Sequence, residues 1–84
     1  MADLVGLVEM IAQGLADEPG AVEVTDGERR GGRHLELQVA PGDIGRVIGR
    51  QGRTAAAIRA LLTAAGEREG QRVSLDIRDT SGRR

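Results

Sequence analysis

With 84 residues, 12 basic and 13 acidic side chains and a net charge of −1, the chain has room for one domain and no global charge that signals a polyanionic partner. It contains no aromatic residue and no cysteine, so aromatic stacking platforms, disulfides and thiolate metal sites are excluded, and the core must be thin and built from Leu, Ile, Val, Met and Ala. Every cation is Arg rather than Lys, which supplies planar forks suited to phosphate and no amine nucleophile.

Met1-Ala2-Asp3-Leu4 lacks a basic lead-in, and Glu9 interrupts the apolar stretch behind it, so no signal peptide is expected. No run approaches the ~20 apolar residues of a membrane helix. A cytoplasmic protein without membrane or small-molecule partners is the expectation.

In chain order, Leu4, Leu7, Val8, Ile11 and Leu15 recur at helical spacing and predict an amphipathic helix over residues 3–17, stopped by Pro19-Gly20. Gly6 and Gly14 inside it each cost about 1 kcal/mol relative to Ala. Val22 and Val24 alternate with Glu23 and Thr25 as a short strand, and residues 26–33 read as a glycine-rich charged turn. Leu35, Leu37 and Val39 alternate with His34, Glu36 and Gln38 as a second strand, pairing with the first as an antiparallel hairpin. Asp43, after Pro41-Gly42, is placed to N-cap a two-turn helix with the apolar face Ile44, Val47 and Ile48. Gly49 and Gly52 break that helix. Ala55, Ile58, Leu61, Leu62 and Ala65 mark another helix, ending near Gly66, and residues 67–71 form a loop. Val73, Leu75 and Ile77 make the last strand, with residues 79–84 as a frayed tail. The whole chain is thus one α+β domain of order α-β-β-α-α-β, a three-stranded sheet with helices on one face.

The informative segment is Gly45-Arg46-Val47-Ile48-Gly49-Arg50-Gln51-Gly52-Arg53. Two glycines three apart let the backbone turn sharply and let a sugar-phosphate chain come close. The following helix points its free N–H groups and positive dipole end at the loop. From Ile44 to Gly66 there is no acid, while Arg46, Arg50, Arg53 and Arg59 all fall inside, so a nearly neutral protein carries one positive face. Amide donors, partial charge and guanidinium forks then surround one phosphate-sized volume.

Strand, helix, GXXG loop, helix, strand, with Val-Ile-Gly-Arg-Gln-Gly at its centre, resembles a KH domain, a module that clamps about four nucleotides with such a loop. The additional N-terminal helix and strand resemble the type II, prokaryotic arrangement. The chain as a whole is similar to the small single-KH bacterial RNA-binding proteins of the KhpA type, over residues 3–78 and most closely over GRVIGRQGRTAAAI, Gly45 to Ile58. Members commonly carry Lys where Arg50 stands, and Arg keeps the charge. The resemblance implies a single-stranded RNA site made of Gly49, Arg50, Gln51 and Gly52 with Arg46 and Arg53. In it, Ile44, Val47 and Ile48 form one wall of an apolar groove, and the last strand with residues 67–71 forms the other. It implies an RNA chaperone or post-transcriptional regulator that influences cell-envelope growth and cell shape, paired with a larger KH-containing protein or with a second copy of itself.

Other readings stand beside these. A GXXG pair between helices is by itself usually a tight turn. A Walker A loop needs a Lys that the chain lacks, and no GxGxxG pattern is present. His34 is a lone surface histidine, and Ser74 and Ser81 have no base near them in sequence, so no metal, cofactor or enzymatic role is expected. Periodicity places Ile44, Val47 and Ile48 in the core, with one of them buried and another lining the groove. Arg29, Arg30 and Arg33 either solubilise a turn or touch RNA. The competing function is a protein-interaction domain with little RNA binding of its own.

Overall fold

The first helix, α1 (Leu4–Leu15), starts because the Asp3 carboxylate accepts the N–H of Gly6 at 2.9 Å, an N-cap worth about 1 kcal/mol. A Cβ at position 6 would run into that carboxylate, so the glycine that weakens the helix also admits its cap. In this computed structural model, which describes residues 3–81, α1 ends two residues before its expected boundary. Ala16 is extended, and the N–H groups of Asp17 and Glu18 go to a side chain elsewhere instead of to the helix. The buried stripe of α1 is Leu4, Val8 and Ala12, while Leu15, an expected core position, is 36% exposed.

A short turn at Pro19–Ala21 leads into β1 (Glu23–Arg29), which pairs antiparallel with β2 (Gly32–Val39), as the alternation predicted. The turn between them is much tighter than the expected 26–33 segment. It is Arg30-Gly31 alone, with φ of 54° and 79°, the double left-handed geometry of a two-residue hairpin. Asp26 to Arg29 and Gly32 to Arg33 are therefore strand, tied by an Asp26–Arg33 ion pair at 2.7 Å. That carboxylate, as a hydrogen-bond partner, raises the Arg33 pKa.

After the turn Pro41–Asp43 come α2 (Ile44–Ile48), the turn Arg50–Gly52, α3 (Arg53–Arg68) and β3 (Val73–Asp79). β3 runs parallel to β2 in the order β1-β2-β3, with Leu35 beside Leu75 and Leu37 beside Ile77. Leu35, Leu37, Val39, Leu75 and Ile77 are buried, and with Leu4, Val8, Val47, Ile58 and Leu62 they form the core; the alternate face of the sheet stays open. This is the expected α+β order, with helices on one face of the sheet.

Three expectations are corrected. α3 runs past Gly66, whose backbone lies so close to β3 that a Cβ would sit 2.6 Å from Val73 Cγ2 and 2.7 Å from the Gln71 carbonyl. The residue that ends the helix is Gly70, at φ 68°, with Gln71 N–H on Gly66 O and Gly70 N–H on Glu67 O, a Schellman motif. Leu61 is 53% exposed, because the inward stripe is Ala55, Ile58, Leu62 and Gly66 and position 61 is rotated off it. Finally, Asp79 belongs to β3 and not to a tail: it is buried and accepts the Ser81 N–H at 2.9 Å, while Thr80 N–H bonds to Val39 O. The rest of the expected tail, residues 82–84, lies outside the described residues.

Candidate nucleic-acid interface

The loop is built on two left-handed glycines with different constraints. Gly49 has φ 79° and ψ 172°, a region open essentially to glycine alone, and a Cβ there would strike the Thr54 side chain. Gly52 has φ 73° and ψ 12°, and a Cβ there would meet nothing within 4 Å. Position 49 needs glycine for both conformation and space, and position 52 for conformation alone. Between them Gln51 is itself left-handed, at φ 55° and ψ 26°, which costs a residue with a Cβ about 1–2 kcal/mol. Gly49 N–H closes α2 on Gly45 O at 2.9 Å, and Gly52 N–H reaches Gly49 O at 3.1 Å.

Gly52 also occupies the N-cap position of α3 and has no side chain with which to cap it. The positive end of this 16-residue helix therefore opens onto the loop. Arg50, Gln51 and Arg53 are exposed around it, and among the described residues neither arginine makes an ion pair. Two uncommitted guanidiniums, a helix N-terminus and a tight backbone thus converge on one side of the loop.

A family model for the KH domain of KhpA and KhpB matches residues 6–77. The chain belongs to the KhpA/KhpB KH-domain family. It is 48% identical over 73 residues to the protein named "RNA-binding protein KhpA" from Halalkalibacterium halodurans, covering 87% of this chain and 96% of the relative. Proteins of the same name from Caldanaerobacter subterraneus subsp. tengcongensis and Streptomyces coelicolor are 49% identical over 71 residues and 47% identical over 68. Those two alignments cover 84% and 81% of this chain, and 95% and 85% of the respective relatives.

Within this KH domain the expected site residues divide. Gly49, Arg50, Gln51, Gly52 and Arg53 come together at the loop. Arg46 turns away: its Nη2 lies 3.0 Å from Asp17 Oδ2 and its Nε 3.7 Å from Asp43 Oδ1, so its charge is already partnered. Val47 is 0% exposed and belongs to the core, out of reach of any base. Ile44 and Ile48 are half-buried and, unlike Val47, keep surface exposed to solvent. The cleft facing β3 is lined from α3, by Arg59, Leu62 and Thr63, with Val73, Ser74 and Leu75 opposite. Arg59 spans it, donating from Nε to Leu75 O at 3.3 Å. β3 is one of the sheet's two edge strands, and that arginine occupies one of its carbonyls.

Two functional relationships were missed in the sequence. Asp43 makes no cap to its own helix; its buried carboxylate accepts the N–H groups of Asp17 and Glu18, both at 3.0 Å. Those two N–H groups, assisted by the Arg46 guanidinium, hold the carboxyl below its ordinary pKa against the opposing effect of burial. Ser74 does have a base beside it, since His34 Nδ1 lies 2.7 Å from its Oγ across the β2–β3 pairing. No carboxylate bonds the far nitrogen of His34 among the described residues, so the pair lacks the third group that orients a catalytic imidazole. Nor do the described residues contain a group of His, Cys, Asp or Glu able to hold a metal.

Proposed function

We propose that this KH domain is a non-catalytic, cytoplasmic binder of single-stranded RNA that grips the sugar-phosphate backbone with residues 49–52, acting as an RNA chaperone or post-transcriptional regulator. The observation that carries the reading is the doubly constrained Gly49, which creates a bare backbone turn beside the unpaired Arg50 and Arg53 at an uncapped helix end. The relatives named as RNA-binding proteins support it. Ile44 and Ile48 supply the apolar wall for splayed bases. With no aromatic side chain, stacking worth ~1–3 kcal/mol per base is absent, so affinity for a short strand is near micromolar, about −8 kcal/mol. Tighter binding comes from avidity, through a second copy or a larger KH-containing partner.

The test is the double variant Arg50→Asp/Gln51→Asp. It places carboxylates where phosphate is to bind and removes one charge-assisted donor, while both positions are exposed and the glycines remain. It melts like the parent and loses most affinity for single-stranded RNA in a fluorescence-anisotropy titration. Parent-like binding by this variant means that the loop is only a turn.

A further inference from the structure

The β1–β2 hairpin tip and the start of β3 meet at the end of the sheet remote from residues 49–52. The two-residue turn puts Arg29 and Arg30 at the tip. Because β2 and β3 are parallel, their first residues are neighbours: Arg33 pairs with Val73, and Arg33 N–H bonds to Arg72 O at 2.8 Å. Gly32 makes this approach possible, since a Cβ there would lie 2.6 Å from that carbonyl. Residues far apart in sequence thereby line one cleft, made by Arg29, Arg30, Arg72 and Ser74.

All three of these arginines are exposed, and none is ion-paired among the described residues. The contrast with their neighbours is informative. On the same sheet Arg33 is held by Asp26, and Arg78 by Asp76 at 3.2 Å and Glu36 at 3.7 Å. Three uncommitted guanidiniums around one cleft repel one another, and an anion bound among them relieves that repulsion.

The cleft adjoins the groove beside α3. It shares Ser74 with the cleft that Arg59 and Leu62 line, and Arg72 with the one formed by Thr63, Glu67, Gly70, Gln71 and Val73. The 16 residues of α3 span about 24 Å at 1.5 Å per residue, with the loop at one end and Arg72 just past the other. At about 3.4 Å per phosphate in a stacked strand, that distance holds roughly seven phosphates. A four-nucleotide footprint does not cross it, and a longer strand does. Glu67, in the last turn of α3, lies in the cleft that shares Arg72, so the strand passes one acid before it reaches the second cluster.

We propose that Arg29, Arg30 and Arg72 form a second phosphate-contact site for the same RNA strand, reached only by RNA long enough to run from the loop along α3 and around the β3 edge. This rests on the RNA-binding reading above and extends it from one grip to two. Phosphate contacts carry no sequence information, so the second site sets length dependence and not sequence.

The experiment compares the parent with Arg29→Gln/Arg30→Gln/Arg72→Gln, which keeps side-chain length, on single-stranded RNAs of 4 and 12 nucleotides at several salt concentrations. Each neutralised phosphate contributes about −0.7 to the salt slope, so three further contacts make the parent's slope on the 12-mer about 2 steeper than on the 4-mer. A fourfold rise in salt then costs the 12-mer about 16-fold more affinity than the 4-mer. The variant binds the 4-mer like the parent, and its 12-mer slope falls to the 4-mer value. Equal slopes for the two lengths in the parent, or an unchanged 12-mer slope in the variant, overturn the second site and leave the loop reading standing. A parent that binds neither strand overturns both. Should the triple variant fail to fold, Arg72→Gln alone must lower the 12-mer slope by about 0.7.

Discussion

The carboxylate of Asp43 accepts the backbone N–H of Asp17 at 3.0 Å, and Arg46, one turn further along α2, reaches back to the Asp17 side chain at the same distance. Asp43, the residue just before α2, and Arg46 within it thus hold both the main chain and the side chain of the segment that follows α1. That clasp sets where α2 starts, and α2 leads directly into residues 49–52.

Its pH behaviour follows from the direction of the shift. The Asp43 carboxyl is held below its ordinary value of 3.8, so the charged form stabilises the fold at every pH above that value. The contribution is lost as the pH falls through the lower folded-state pKa. Asp43→Asn, whose amide nitrogen presents a donor to the donor N–H of Asp17 or Glu18, unfolds at a lower denaturant concentration than the parent at pH 7. The gap between the two closes below about pH 4 as the parent's carboxylate takes up its proton. A gap that is constant from pH 7 to pH 2.5 in urea melts would show that charge at this position is irrelevant.

The loop glycines are not equivalent. Gly49→Ala meets both a backbone region costing about 1–3 kcal/mol and a collision with Thr54, whereas Gly52→Ala meets only the left-handed penalty of about 1–2 kcal/mol. Gly49→Ala is therefore the more destabilising change, and adding Thr54→Ala recovers part of its loss but none of the loss at Gly52. A double-mutant cycle by chemical denaturation measures this coupling.

Helix glycines separate in the same way. A Cβ at Gly14 meets nothing, so Gly14→Ala stabilises by about 0.5–1 kcal/mol and raises the melting temperature by roughly 4 °C. Gly66→Ala does the opposite, because the obstacle there includes the Gln71 carbonyl, a backbone atom that cannot swing aside. Calorimetry on the two variants should give shifts of opposite sign.

The proposed grip predicts a preference for single strands over duplexes. Ile44 and Ile48 can meet only base faces that are splayed, and a duplex hides those faces in its own stack. A 12-base-pair RNA stem binds at least about tenfold more weakly than a 12-nucleotide strand, a difference near 1.4 kcal/mol. Equal affinities in a competition assay would count against the groove.

What the amino-acid order decided by itself is whatever depends on local periodicity and backbone freedom. The alternation of Leu35, Leu37 and Val39, the helical spacing of Leu4 and Val8, and the glycine pair at 49 and 52 set the elements, their order and the position of the loop. They do so because these signals are contained within a few residues of chain. Tertiary structure decided which side chains were left over for function. Val47 and Ile48 are adjacent and both aliphatic, and only packing in the core buried the smaller and left the larger half-exposed. Arg46 and Arg50 carry the same charge four residues apart, and only the arrival of Asp17 from α1 neutralised one of them. Asp43 reads as a helix cap until the end of α1 supplies two N–H donors, and Arg72 acquires Arg29 and Arg30 as neighbours only through the parallel pairing of β2 with β3. Such pairings join residues from distant parts of the chain, and no spacing rule within one segment encodes them.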